Sequence, residues 1–148
     1  MKLHLGCGLD AKEGYINIDK IGSYGVDLVL DVGKEEFPYD DSSIDEVVAT
    51  HFIEHLDGEE VVHLMDELYR ICKNDAIILF TAPYFTSPTS CRPFHKQMIS
   101  ETYFADFEVL DPNKCKSLDH RFYFHINAFK ELDDEENLIV IFKLRVVK

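Results

Sequence analysis

Apolar residues in the first half of the chain come in short runs. Residues 3–5, 15–19, 26–31, 44–49 and 76–82 are rich in Val, Ile and Leu and mostly flanked by Gly, Asp, Ser or Pro, which predicts five short strands. Between the fourth and fifth, Val61, Val62, Leu64, Met65, Leu68, Tyr69 and Cys72 recur at three- and four-residue spacing. That period predicts an amphipathic helix, with Asp57 as its N-cap and His63 on its solvated face. Residues 83–93 are rich in Pro, Ser and Thr and read as a loop, and 98–107 as a short helix with Phe104 and Phe107 turned to the core. Residues 121–129 and 138–147 read as strands joined by the acidic turn 131–137. They predict a terminal antiparallel hairpin whose turn is a solvated loop. No repeat, low-complexity block or boundary interrupts the chain, so 1–148 is expected to form one domain.

Strands alternating with helical segments define an α/β class, a Rossmann-like, mostly parallel sheet with a C-terminal antiparallel hairpin. Only residues 9–14 separate Gly8 from Tyr15, whereas a parallel crossover takes about a dozen residues or more, so the first helix is expected to be reduced or missing. Ligands of such sheets bind beyond the carboxyl ends of the strands, and Gly6, Gly8, Asp19, Asp31 and His51 all fall there. Glycine lets the backbone turn sharply and approach a ligand. A carboxylate after the second strand can accept from ribose hydroxyls, and one after the third from an exocyclic amine. Together they describe a nucleoside-shaped slot. Taken singly, the glycines could merely shape a turn and the acids cap strand ends.

Composition narrows the partners. With 15 Lys and Arg against 28 Asp and Glu, the formal charge of −13 repels phosphate backbones and anionic lipid, so neither nucleic acid nor membrane is expected as a partner. Cys7, Cys72, Cys91 and Cys115 form no C-x-x-C pair and read as reduced thiols. No apolar run approaches spanning length and no signal region is evident, so the chain is expected in the cytoplasm.

Residues 3–8, 14–19, 29–32, 37–47 and 53–56, in that order and spacing, resemble the class I S-adenosylmethionine-dependent methyltransferases, in particular small members of the methyltransferase type 11 group. The resemblance covers about the first two thirds of the chain. It implies S-adenosyl-L-methionine as cofactor, with Gly6, Cys7 and Gly8 around its methionine part, Asp19 on the ribose, Asp31 and the Val32 amide on adenine, and His51 beside the sulfonium methyl. It also implies that the loop after the fifth strand faces a small-molecule or glycan-linked acceptor, which assigns Tyr84, Arg92 and His95 to substrate. The chain departs from the family pattern at Asn74-Asp75, where relatives carry a Pro-Gly-Gly turn, and in its short first crossover.

Methyl transfer rests mainly on alignment, but a hydroxyl or ammonium acceptor must also lose a proton. His51, His55 and His95 are the candidate catalytic groups, with His95 as the expected base; His120 and His125 read as hairpin residues. Residues 51–55 also read H-x-x-E-H, the run that holds zinc in one class of metalloproteases. In those enzymes it lies on a long helix, whereas here it bridges a strand and a helix, so no metal is expected. Three other readings stay open: a non-catalytic cofactor-binding or regulatory domain, a zinc hydrolase, and a nicotinamide oxidoreductase suggested by Gly6-x-Gly8-x-x-Ala11. Against the last, Asp19 follows Gly8 by 11 residues, where a dinucleotide site places its acid about 20 beyond the glycines.

Overall fold

The computed structural model describes residues 1–109 and 123–148. Cys115, His120 and the start of the strand expected at 121–129 lie outside them. Seven strands form one sheet in the order β3-β2-β1-β4-β5-β7-β6. They are β1 (Lys2–Leu5), β2 (Ile16–Asp19), β3 (Leu28–Val29), β4 (Ile44–Thr50), β5 (Cys72–Pro83), β6 (Phe124–Leu132) and β7 (Leu138–Val146). β1 pairs in parallel with both β2 and β4, and β4 in parallel with β5. β7 runs antiparallel to both β5 and β6, which realises the expected hairpin and wedges its second strand into the sheet.

Among the described residues the single α-helix is α1 (Gly58–Ile71). Its Val61, Leu64, Met65, Leu68 and Ile71 join Leu3, Leu5, Val47, Ala49, Ile78 and Phe80 in one buried cluster. Along β5 and β7 burial alternates with period two: Ile78, Phe80, Phe142 and Leu144 are buried while Ile77, Leu79 and Ile141 are half-buried. The alternation follows from the pleat, with one face on the helix side. As the short spacing predicts, β1 and β2 are joined by turns with no helix. No described helix is long and apolar enough to cross a membrane.

Three elements differ from expectation. β3 is two residues long because the Asp27 carboxylate accepts the Asn17 amide at 2.8 Å and so caps the neighbouring strand. β5 starts directly from α1, and the departure at Asn74-Asp75 becomes a bulge: the register with β4 jumps from Ile44↔Cys72 to Glu46↔Ile77, and Asp75 has a φ of +64°. The helix expected at 98–107 is reduced to the 3-10 turn Ala105–Phe107. Ile99 instead bridges Tyr84, and Phe104 packs edge-on against Phe142 at 4.9 Å, so sheet contacts override helical spacing. His63 is half-buried, its Nε2 donating to the Glu35 carbonyl at 3.1 Å.

The α1 N-terminus is closed by a capping box. Asp57 accepts the Glu60 amide at 3.0 Å and Glu60 accepts the Asp57 amide at 2.8 Å. Lys96 and Lys34 also reach the Glu60 carboxylate, at 2.9 and 3.3 Å. Lys96, then the Asp57 amide, then Lys34 lower the Glu60 pKa from 4.5 to about 2. This stabilisation is complete above the unfolded value of 4.5 and is lost as pH falls toward about 2. The melting temperature of Glu60→Gln should therefore lie below wild type at pH 6, with the gap closing between pH 4.5 and about 2. A gap independent of pH in a thermal scan series would assign the loss to packing instead.

Candidate cofactor and acceptor site

The carboxyl edge of the parallel strands carries two adjoining cavities. The first, about 440 Å³, is lined by Gly6, Asp19, Asp31, Val32, His51 and Phe52, among others. Gly6 leaves β1 with a φ of +61°, and a Cβ there would stand 2.3 Å from Phe52 Cδ2. Glycine thus serves both the turn and the close seating of the Phe52 ring. Asp19, at the end of β2, accepts the Gly8 amide through Oδ2 and the Ile21 amide through Oδ1, both at 2.9 Å. These bonds clamp the glycine turn, and a carboxylate has about four acceptor positions, so two remain for a ligand's hydroxyls. The Asp31 amide donates to Glu35 Oε1 at 2.9 Å, and Lys34 lies 3.6 Å from its carboxylate.

Five of the seven residues that the sequence assigns to the cofactor thus line one cavity. Cys7 and Gly8 are not in the lining. Cys7 is buried beneath the turn, and burial raises its thiol pKa.

The second cavity, about 560 Å³, is lined by His51, Glu54, His55, Arg92, Phe94 and His95, with the hairpin turn opposite. His51, His55 and Phe94 belong to both cavities and form the wall between them. His51 leaves β4 in the left-handed region, φ +51°, held by its amide to the Thr81 carbonyl at 2.9 Å. Such a conformation is costly without glycine and is characteristic of functional positions. Its Nδ1 is 3.6 Å from Glu54 Oε1, and Glu54 holds the imidazole pKa above its ordinary value against the opposing effect of burial.

His95 and Arg92 reach the cavity because their loop is sewn to the 3-10 turn Ile53–His55. The Lys96 and Gln97 amides donate to the Glu54 carbonyl at 2.8 and 3.3 Å, and His55 Nδ1 lies 3.1 Å from the Phe94 carbonyl. The His55 and His95 rings meet edge to face at 4.9 Å. Tyr84 stands apart from both linings. Its hydroxyl donates to Glu101 at 2.6 Å, its ring lies under Lys130, and its amide donates to the Leu138 carbonyl, so it ties loop to hairpin.

Sequence reasoning missed Glu54, Phe52, Phe94 and the turn residues Asp133, Asp134, Glu135 and Asn137. The acidic turn, expected to be a solvated loop, forms one lip of the second cavity. Asp133 shapes it by accepting the Glu135 and Asn137 amides at 3.0 and 2.8 Å, and the exposed Asp134 and Glu135 also line the cavity.

The methyltransferase domain family matches residues 7–80, half of the chain. The chain belongs to that family, the class I S-adenosylmethionine-dependent methyltransferases, and S-adenosylmethionine is its cofactor. Among solved structures it is similar to the N-methyltransferase NodS from Bradyrhizobium japonicum in complex with S-adenosyl-L-homocysteine, at TM-score 0.67 and 11% identity over 99% of this chain and 78% of that one. A methyltransferase from Archaeoglobus fulgidus gives TM-score 0.64 and 19% identity over 97% and 85% of the two chains. The cyclase SpnF gives TM-score 0.67 and 13% identity over 99% and 74%. Likenesses at these identities establish the fold, which hosts more than one reaction. No curated protein matches the chain in sequence.

If the Phe52 contact is what requires glycine at position 6, Gly6→Ala should cost at least about 1 kcal/mol more than Gly8→Ala, which has the same backbone conformation and open space around it. Phe52→Ala, which removes the ring but keeps a Cβ 3.1 Å away, should remove most of that difference in a double-mutant cycle read by denaturant unfolding. Equal costs in the two single variants would make the φ angle the whole reason.

Proposed function

We propose that the chain transfers a methyl group from S-adenosylmethionine in the 440 Å³ cavity to a small-molecule or glycan-linked acceptor in the 560 Å³ cavity. The observation that carries this reading is the shared wall of His51, His55 and Phe94, across which two bound molecules would meet. The cofactor supplies an electrophilic methyl on a sulfonium and leaves as S-adenosylhomocysteine. Gly6 makes the turn that lines the cavity and seats Phe52 against it, Asp19 accepts from the ribose hydroxyls, and Asp31 with the Val32 amide reads the adenine. His51, rather than the His95 that the sequence suggested, takes the proton that the acceptor loses, because Glu54 lies 3.6 Å behind it to stabilise the imidazolium. His55 and His95 orient the acceptor. Asp134 and Glu135 on the lip favour acceptors that are neutral or carry an amine over anionic ones, and Arg92 lines the same cavity.

S-adenosylhomocysteine should raise the melting temperature by binding the folded state, and NAD should not. Asp19→Ala should lose the shift, measured against its own ligand-free midpoint. In an acceptor screen read by cofactor turnover, His51→Asn should keep the shift, since Asn tolerates the left-handed backbone, and lose about a hundredfold to ten-thousandfold in rate. No stabilisation by S-adenosylhomocysteine in wild type would sink the reading. Stabilisation without turnover of any acceptor would favour the non-catalytic alternative.

A further inference from the structure

We infer that Glu54, His55 and His95 form a binding site for a divalent transition-metal ion, zinc by preference, in the wall of the acceptor cavity. One donor atom from each lies within 4.8 Å of the others, and among the described residues this is the one such cluster of three. Glu54 is 1% exposed, and neither of its carboxylate oxygens has a hydrogen-bond partner. Of the neighbouring cations, Lys96 turns its ammonium to Glu60 at 2.9 Å, and His51 stops 3.6 Å from one Glu54 oxygen. A carboxylate removed from water, with no hydrogen bond and only the His51 imidazole at 3.6 Å beside it, calls for a closer positive charge. His95 Nδ1 is likewise buried with no partner.

The imidazoles decide which cation. A carbonyl only accepts, so His55 Nδ1, 3.1 Å from the Phe94 carbonyl, carries the proton and leaves Nε2 with a free lone pair. This is the arrangement by which a second-shell carbonyl sets the tautomer of a metal-binding histidine. An ammonium group of an acceptor would be served by carboxylates; two imidazole nitrogens beside a carboxylate are the donor set of zinc and its neighbours. Tetrahedral zinc, with ligands at roughly 2.0–2.2 Å, sets ligand atoms about 3.4 Å apart. Exposed His55 and half-buried His95 can close that distance by side-chain rotation, while the Lys96 and Gln97 amides on the Glu54 carbonyl hold the two backbones together.

The triad differs from the metalloprotease use of H-x-x-E-H. There the two histidines of the run are ligands and its glutamate is a base. Here the glutamate is a ligand, one histidine comes from the loop after β5, and His51 stays outside. Three protein ligands leave a tetrahedral ion one open position for a water or an acceptor oxygen or sulfur.

The test uses the intact protein, stripped with chelator, and metal alone as the probe. Calorimetric titration with zinc should give one saturating equivalent, and cobalt should produce the visible absorption of a four-coordinate ion that zinc then bleaches. Glu54→Gln, which removes a buried charge and spares the fold, and His95→Ala should each weaken binding at least a hundredfold, while the exposed His125→Ala stays within twofold. His51→Ala should change affinity less than tenfold. Absence of saturable binding, or unchanged affinity in folded Glu54→Gln and His95→Ala, would overturn the site. A loss in His51→Ala equal to that in His95→Ala would also overturn this triad. Stabilisation of metal-free protein by S-adenosylhomocysteine tests methyl transfer separately, so the two readings can fail independently.

Discussion

Parallel pairing on both flanks of β1 is the constraint from which the rest of the molecule follows. With β2 on one side and β4 on the other, the chain leaves all three strands at the same edge, and the reversal of strand order beside β1 opens a crevice there. Gly6, Asp19 and His51 are neighbours for this reason, although 44 residues separate the first from the last. The pairing also explains why so little helix suffices. A strand of four residues can be retraced by a few extended ones, and among the described residues one α-helix joins the buried cluster.

The capping box of α1 has a second effect, because its Glu60 also holds Lys96, the neighbour of His95. One carboxylate closes a helix and anchors the loop that completes the 560 Å³ cavity. Electrostatics at the start of α1 and the geometry of the acceptor wall are thereby coupled, since the Lys96 amide is bound in turn to the carbonyl of Glu54.

The fold was legible where local chemistry decides it. Runs of Val, Ile and Leu ending in Gly or Asp marked the strands, and the spacing after Asp57 marked α1 with its cap. The glycine turn and the two carboxylates were legible because topology sends every parallel strand to the same edge. What escaped depends on contacts distant in sequence. The span 98–107 has helical spacing, but Ile99 pairs with Tyr84 and Phe104 seats on Phe80 and Phe142. The meeting of Glu54 with His95 is made by backbone amides, which leave no trace in side-chain pattern. The acidic turn read as solvated because its composition is that of a loop; its location follows from the antiparallel alignment of β7 with β5, where Ile139 faces Pro83.

That alignment separates two kinds of change open to the molecule. The turn between β6 and β7 lines the 560 Å³ cavity and is absent from the lining of the 440 Å³ one. Its length can drift without disturbing the sheet, because hairpin tips tolerate insertion, while its charge reaches the shared wall, where Glu54 and, after it, Asp133 raise the His51 pKa. On the proposed reading, selection for a new acceptor would register first in the five residues Asp133 to Asn137, while the glycine turn stayed fixed.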